Sequence, residues 1–467
     1  MPFDRSTTPF SPALAREVSV ATRAFTRRHT LRRAAAVASV GVAGTLSACG
    51  AAGQEQAGAP QGQAAPQAQL KKGATVTWAV DSGPTRTPLR QDQTKLFKDK
   101  FPDINVEFVE GATGTEKLQT LFAAGTPPDL FRQETAGMAH FASRGQAASL
   151  DAFLKRDKYD LSDFFPAAWE LWKWKGKYYG VPFLGIRLAF YNRSLIQQSG
   201  GKTPPASWRD NAWTWDAFLE ASKKVSRQGT RWGADLGTGR RDWQPWVWNN
   251  GGDLFNADGT QVLLDQPAAV ESIQFLTDLI HKHRVAPTAD ELKEAGGRGG
   301  VFQAGNLFLY HSPVNNIATN RDKAGFDWSI TGLPKGKGKV AYSSGGGVGW
   351  FLANDSKVKD ETWELMKVLA SKEGVRMEAE RGEAPPSRRS IAKEPAFISP
   401  PEPPKGDMKV VVDALEAMHL ETALLNGVEI DRILDEELKP VWAGQKTARE
   451  ALAQATSRIK PLLNPAG

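Results

Sequence analysis

The chain has 467 residues, 24% of them charged and 40% hydrophobic, with a formal net charge of +7. Residues 1–48 hold seven arginines and two acidic residues, so the rest of the chain has 52 basic and 50 acidic residues, a net charge of +2. That balance excludes a broad electrostatic surface for nucleic acid. We therefore predict no nucleic-acid partner.

The first 48 residues are typical of an export signal. Their arginines are followed by an uncharged, small and apolar stretch from Ala34 to Leu46 that stops just before Cys49. The stretch is shorter than the ~20 residues that span a bilayer. The sequence LSAC at 46–49 resembles the bacterial lipobox, in which a diacylglycerol is attached to the cysteine, and TRRHTLR at 26–32 resembles a twin-arginine export motif.

We therefore predict a lipoprotein, cleaved before Cys49 and lipid-anchored to the cell membrane on its outer surface or periplasmic face. The alternative for this segment is a small buried helix with a core cysteine. Cys49 is the only cysteine, so no disulfide is expected. Residues 50–72 are rich in Ala, Gln, Gly and Pro, a composition that predicts a flexible tether.

The body from residue 73 onward is larger than one hydrophobic core usually serves, which predicts two domains. It opens with predicted strands at 74–80, 104–109 and 129–131, separated by predicted helices at 88–100 and 114–124. Such a βαβαβ succession indicates a parallel sheet covered on both faces. Further helices are predicted at 215–226, 267–283, 360–371 and 447–463.

A set of short segments, in order, resembles family-1 extracellular solute-binding proteins, the sugar-binding components of ATP-binding-cassette importers. The segments are GTEKL and AGTPPDL within 114–130, YYGVP at 178–182, AFYNRSL at 189–195, WTWDAF at 213–218, FQAGN at 302–306, GLP at 332–334 and GQKTAREAL at 444–452. Each motif is weak alone, but together they cover nearly all of residues 73–465.

The resemblance implies an α/β, two-lobed periplasmic-binding-protein fold, type II-like, with a multi-crossing hinge. The expected lobes are 73–188 with 345–395, and 189–344 with 400–465. Hinge crossings are expected near 187–191, 334–344 and 396–405, with Tyr191 and Ser344 as hinge residues. The resemblance further implies a monomer without catalytic activity, cofactor or metal. Such a protein binds a sugar or oligosaccharide and delivers it to membrane permease subunits.

Sugars present C–H faces and many hydroxyls, so their sites need aromatic planes and planar polar groups. Trp78, Asp81 and Ser82 lie at the end of the first predicted strand, where open α/β sheets bind ligands. Gln133 and Glu134 follow the third strand in the same way. A core role is the alternative for Trp78.

The family resemblance implies that the segment 241–250 lines the cleft from the second lobe. It contains Trp243, Trp246 and Trp248, followed by Asn249. At helical spacing Trp243 and Trp246 share a face, while Trp248 turns away. The alternative is a stripe of core residues, so of this segment Trp243, Trp246 and Asn249 are the candidate ligand contacts.

Arg187 lies in an apolar stretch and needs a partner or a ligand. Gly345 and Gly346 belong to a glycine-rich stretch without a P-loop ending. The family resemblance implies that it is a hinge return whose backbone N–H groups face the cleft, a plain turn being the alternative. The sequence PPSRR at 385–389 resembles a late cleft loop of the family, which makes Arg388 a candidate ligand contact.

The family's sugar binders usually carry a tryptophan after the FQAGN-like segment. Here Tyr310 and His311 stand in that region, which leaves the ligand class open.

Two rival functions remain at this point. The first is a cell-surface carbohydrate-active enzyme, a hydrolase or lyase, although neither GxSxG nor HExxH is present. The second keeps the fold but binds a phosphorylated polyol or other anion, which Arg132, Arg187 and Arg388 would favour.

Overall fold

The structure is a computed structural model that describes residue 68 and residues 70–83, 86–208, 210–338, 343–420, 422 and 424–463. The predicted signal, Cys49 and nearly all of the predicted tether lie outside the described residues. Within the described part of the chain, no helix is long and apolar enough to cross a membrane.

Eleven strands are described in this part of the chain. They are β1 Thr75–Val80, β2 Asn105–Glu110, β3 Leu130–Glu134, β4 Lys173–Trp174, β5 Lys177–Tyr178, β6 Gly180–Asn192, β7 Trp232–Asp235, β8 Leu307–Pro313, β9 Trp328–Thr331, β10 Ser343–Leu352 and β11 Met418–His419.

The helices of the described residues lie between and after these strands. They are α1 Arg86–Lys100, α2 Thr115–Ala123, α3 Thr135–Ser143, α4 Asp151–Arg156, α5 Pro166–Glu170, α6 Arg193–Gln198, α7 Trp215–Val225, α8 Arg240–Asn249, α9 Pro267–His281, α10 Ala289–Glu294, α11 Gly297–Gln303, α12 Asn316–Lys323, α13 Lys359–Leu369, α14 Lys372–Glu380, α15 Arg389–Ala392, α16 Pro395–Ile398, α17 Lys409–Glu416, α18 Gly427–Trp442 and α19 Ala448–Leu463.

The predicted βαβαβ start is confirmed. β1 lies between β2 and β3 and is parallel to both. α1 and α2 connect these strands. Their apolar residues recur at helical spacing, and Leu89, Phe97 and Leu118 are buried. The third strand is longer than predicted, since it continues to Glu134.

A single nine-stranded sheet runs through the described residues, with the strand order β2-β1-β3-β10-β6-β8-β7; in addition β9 pairs with β6 and β11 with β10. β6 joins its two parts. Residues 180–186 of this strand pair with β10, and residues 187–192 pair with β8 and β9, in each case antiparallel. Arg187 therefore stands where the strand changes partners.

Strand alternation sorts the side chains into two hydrophobic cores. Phe190 contributes to a core that extends under the first part of the sheet and packs on Tyr310. Its neighbours Ala189 and Tyr191 point to the other face and join a second core with Trp246. Adjacent residues of one strand thus serve opposite layers, as a period of two requires.

Close packing near the start of β6 leads to a test. A Cβ added at Gly349 would lie 2.8 Å from Trp172 and from Phe351 side-chain atoms, so both rings would have to move. We expect Gly349→Ala to lower the free energy of unfolding by about 1–3 kcal/mol. Chemical denaturation measures this loss.

Gly300→Ala is the matched control, because Gly300 is exposed on α11 and a Cβ there meets nothing within 4 Å. It should be neutral or slightly stabilising. Equal effects of the two substitutions would contradict the packing explanation.

Candidate functional site

The carboxyl ends of β1 and β3 meet at one edge of the sheet and bring four charged side chains together. Asp81 follows β1 and pairs with Arg132 of β3 and, at 3.0 Å, with Arg86 at the start of α1. Arg86 Nε also lies 3.2 Å from a Glu383 carboxylate oxygen. We call Asp81, Arg86, Arg132 and Glu383 the first charge cluster; its formal charges sum to zero.

A second charge cluster, made of Arg187, Asp235, Asp242 and Arg298, forms where β6 changes partners. An Asp242 carboxylate oxygen lies 2.8 Å from an Arg187 nitrogen and 3.2 Å from an Arg298 nitrogen. Arg298 also contacts Asp235 at 2.8 Å and donates a 2.7 Å hydrogen bond to the carbonyl of His311. Each charge comes from a different element: Arg187 from β6, Asp242 from the start of α8, Asp235 from the end of β7 and Arg298 from α11.

Asp235 and Asp242 of the second charge cluster are buried, while Arg187 and Arg298 are partly exposed, and these environments set the protonation of the carboxylates. Burial alone would raise the pKa of Asp242, but Arg187 and Arg298 hold that pKa below its usual value. His311 is 1% exposed, and burial lowers its pKa to about 3 although the nearby Asp242 carboxylate opposes the shift. His311 is therefore neutral at physiological pH. Neither ring nitrogen has a hydrogen-bond partner among the described residues.

One ion pair joins the two sides of the site. Arg241 of α8 lies 3.5 Å from the Glu134 carboxylate at the end of β3. Together, this ion pair and the second charge cluster contain three cations and three carboxylates. The region is therefore neutral without any bound ion.

The structure brings three of the sequence-predicted residues, Glu134, Arg187 and His311, into this region. Asp81 belongs to the first charge cluster. Ser82 follows it and donates a 2.8 Å hydrogen bond to Glu110.

Gln133 is 2% exposed, and its Oε1 accepts a 3.0 Å hydrogen bond from Thr115. Its Nε2 has no partner among the described residues. A contact of Gln133 with a ligand stays a prediction.

Other predicted residues are packed in the cores. Trp78 lies 5.2 Å from Trp350 between ring centroids, and Trp243, Trp246 and Asn249 are at most 1% exposed. In this structure they take the core position given as the alternative, and direct contact with a ligand stays a prediction.

Trp248 turns away from the other two tryptophans of α8, as its spacing predicted. Its Nε1 donates a 3.0 Å hydrogen bond to Asp253, and its ring centroid lies 4.2 Å from that of His419.

Tyr310 and Arg388 lie outside the second charge cluster. Tyr310 points to the opposite face of β8 from His311, and its hydroxyl accepts a 2.8 Å hydrogen bond from Asn320. Arg388 donates to the Ala370 carbonyl at 2.7 Å and lies 3.2 Å from an Asp163 carboxylate oxygen. Both side chains thus have partners within the protein, and contact of either with a ligand stays a prediction.

The glycine-rich return is part of β10 rather than a plain turn. Gly345 and Gly346 pair with Ile186 and Gly185 of β6, and Ser344 pairs with His419 of β11. The predicted hinge residue Tyr191 lies in β6 opposite Leu309 and Ser329.

Sequence reasoning missed Asp235, Arg241, Asp242 and Arg298 as site residues. Arg241 and Asp242 directly precede Trp243, so a charged pair beside an apolar helix was an available signal. Arg298 lies in the glycine-rich stretch GGRGG, which gives no sign of a partner more than 50 residues away.

The ion pair between Glu134 and Arg241 can be measured by a double-mutant cycle of Glu134→Gln and Arg241→Gln. Both side chains are partly exposed, so we expect a coupling of about 0.2–1 kcal/mol in the free energy of unfolding, smaller at high salt. The exposed Glu107→Gln is the control and should show no coupling to Arg241→Gln. Salt-independent coupling would contradict an ion pair.

The fold and this buried, polar junction between two parts of the sheet define the class of two-lobed binding proteins. The profile of the bacterial extracellular solute-binding proteins matches residues 82–376. The chain belongs to this family, which confirms the resemblance seen in its motifs. Membership places the body of the protein outside the cytoplasm.

Individual relatives agree. The lactose-binding protein of Rhizobium radiobacter is 25% identical over 317 residues, which cover 64% of this chain and 71% of the relative. The ABC substrate-binding protein Lmo0181 from Listeria monocytogenes, solved with cycloalternan, has a TM-score of 0.72 at 23% identity and covers 84% of this chain and 98% of its own. UgpB from Mycobacterium tuberculosis, solved with glycerophosphocholine, has a TM-score of 0.68 at 18% identity, covering 84% and 98%. These structural likenesses confirm the two-lobed fold, and the relatives are binding proteins rather than enzymes.

Proposed function

We propose that the protein is the substrate-binding component of an ATP-binding-cassette importer and captures a neutral sugar or oligosaccharide between its lobes. The observation that carries this proposal is the self-neutralised junction, in which Glu134 bridges to Arg241 beside the second charge cluster. Since every cation there has a carboxylate partner, an anionic ligand would have to displace one. The family membership and the lactose-binding relative support the saccharide.

We place the lobes at 73–188 with 345–395 and at 189–344 with 400–465, joined by a hinge that includes Tyr191 and Ser344. Closure of the lobes is a population shift driven by ligand contacts from both sides. The ligand contacts are proposed as a set that spans both lobes. It comprises Trp78, Asp81, Ser82, Gln133, Glu134, Arg187, Trp243, Trp246, Asn249, Tyr310, His311, Gly345, Gly346 and Arg388.

A thermal-shift screen tests the function. The full-length chain in a detergent without a sugar headgroup is heated with lactose, maltotriose, an arabinooligosaccharide or sn-glycerol 3-phosphate. A ligand at a hundredfold excess over its Kd stabilises the folded state by about 2.7 kcal/mol. Stabilisation by a saccharide supports the proposal, and stabilisation by the phosphate ester alone contradicts it. Turnover of a bound saccharide would instead indicate the carbohydrate-active enzyme.

We further propose that Cys49 carries the lipid anchor and that the twin-arginine route exports the protein, which then acts as a monomer beside its permease. The support is the lipobox-like sequence LSAC followed by a tether-like composition. More than one acyl chain gives stable anchoring. We expect Cys49→Ala to move the protein from the membrane to the soluble extracytoplasmic fraction. Mass spectrometry of the mature N-terminus shows whether Cys49 is acylated. The control Ser47→Ala should leave the acylated cysteine in place.

A further inference from the structure

A cavity of about 70 Å³ lies between α12 on one side and α14 to α16 on the other. This is room for about five water-sized groups. Val314 and Ile317 form the wall from the α12 side, and Ala384, Ile391 and Met408 lie on its other walls. All five of these side chains are less than 9% exposed.

The cavity lies beside the candidate site rather than in a remote part of the molecule. The Val314 N–H donates a 2.9 Å hydrogen bond to the carbonyl of Ile186, and Ile186 directly precedes Arg187 of the second charge cluster. On the opposite wall, Gly382 and Ala384 flank Glu383 of the first charge cluster. The cavity is therefore bounded by segments that directly adjoin a residue of each charge cluster.

The walls do not suit a sugar ring. A buried hydroxyl needs a polar partner, and leaving it without one is costly. Four charged residues line the cavity; Arg321, Arg376 and Glu394 have partners, and Glu380 is exposed. Arg376 makes two contacts with Glu394, at 2.9 and 2.6 Å, and Arg321 Nε donates a 2.7 Å hydrogen bond to the Pro403 carbonyl. The interior therefore favours an apolar group.

We propose that this cavity is a subsite for an apolar substituent of the ligand, a short alkyl or single-ring group attached to the saccharide. The inference rests on the proposed saccharide function and narrows it to glycosides. The sugar part occupies the polar junction near Glu134 and Arg187, and the substituent enters between α12 and α14. The ligand is then an amphiphilic glycoside rather than a free oligosaccharide.

The test measures affinity along two homologous series, methyl to butyl β-lactosides and methyl to butyl α-maltosides. The full-length chain is used in a detergent without a sugar headgroup, with calorimetry as the readout. Each buried methylene should improve the Kd about fourfold until the cavity is full. Ala379→Leu, which projects into the cavity from α14, should abolish this gain while leaving the methyl glycoside unchanged.

Ala453→Leu is the matched control, because Ala453 is exposed on α19, away from the cavity. Should Ala379→Leu fail to fold, Ile317→Ala replaces it, and the larger cavity should move the best chain length toward butyl. A Kd independent of chain length, with methyl glycosides bound, overturns the subsite alone. No binding of any methyl glycoside in either series overturns the subsite, and the absence of stabilisation by every saccharide of the thermal-shift screen overturns the proposed function as well.

Discussion

Replacing Asp242 by asparagine should lower the free energy of unfolding by about 3–5 kcal/mol. The substitution keeps the shape of the side chain but removes the carboxylate that lies 2.8 Å from Arg187 and 3.2 Å from Arg298. Arg187, whose side chain is only 20% exposed, would then lack a compensating charge. Arg298 keeps Asp235 as its partner, so the loss falls mainly on Arg187.

Urea denaturation at neutral pH measures the effect. Asp355→Asn is the matched control, because Asp355 is exposed and the same chemical change there should cost less than about 0.5 kcal/mol. A second variant, Arg187→Met with Asp242→Asn, removes the uncompensated cation and should recover part of the lost stability. Equal stability of Asp242→Asn and the wild type would show that the second charge cluster does not hold the junction together.

His311 should make the free energy of unfolding depend on pH. Its pKa is about 3 in the folded protein, against about 6.5 in an unfolded chain, so the unfolded state binds the extra proton between these values. Stability contributed by the neutral ring is therefore present above pH ~6.5 and is lost as the pH falls toward 3. The slope is at most about 1.4 kcal/mol per pH unit. His311→Gln should remove this slope.

Glu378 acts in the opposite sense and must be measured in parallel. Burial raises its pKa to about 7, although the neighbouring Arg90 opposes the shift, so the folded state binds the extra proton between about pH 4.5 and 7. Its contribution to stability falls as the pH rises through that range. In the wild type the contributions of His311 and Glu378 to the pH dependence partly cancel. The contribution of each group is therefore obtained by subtracting the free energy of unfolding of His311→Gln, or of Glu378→Gln, from that of the wild type at each pH.

Denaturation curves from pH 3.5 to 7.5 give both slopes. The exposed His281→Gln is the matched control for replacing a histidine by glutamine. Identical profiles for His311→Gln and the wild type would contradict a neutral, buried imidazole at this position.

Much of the candidate site could be predicted residue by residue but not as an arrangement. Arg187 was recognised because a cation in an apolar stretch requires a partner, and Glu134 because strand ends of a parallel sheet meet at one edge. Their partners were not recognised. Asp242 follows Arg187 by 55 residues, and only the place where β6 changes partners brings α8 against it.

The aromatic residues show the same division. Helical spacing placed Trp243 and Trp246 on one face and Trp248 on another, and this is how they pack. Spacing cannot say whether that face meets a core or a ligand, because both are apolar. In the structure Phe218 and Phe275 cover Trp246, so the surrounding helices decide its environment.

The sequence by itself determined the near-neutral body, the order of strands and helices at its start and the family. These depend on composition, on periods of 2 and 3.6 residues and on short ordered motifs, all of which are local. The predicted anchor at Cys49 belongs to this local kind of inference and awaits its test. Only the tertiary structure decided the pairing of Glu134 with Arg241, the neutral buried His311 and the cavity beside Val314. Each of these joins segments separated by tens to hundreds of residues, and the order of strands in the sheet, not local pattern, determines which of them meet.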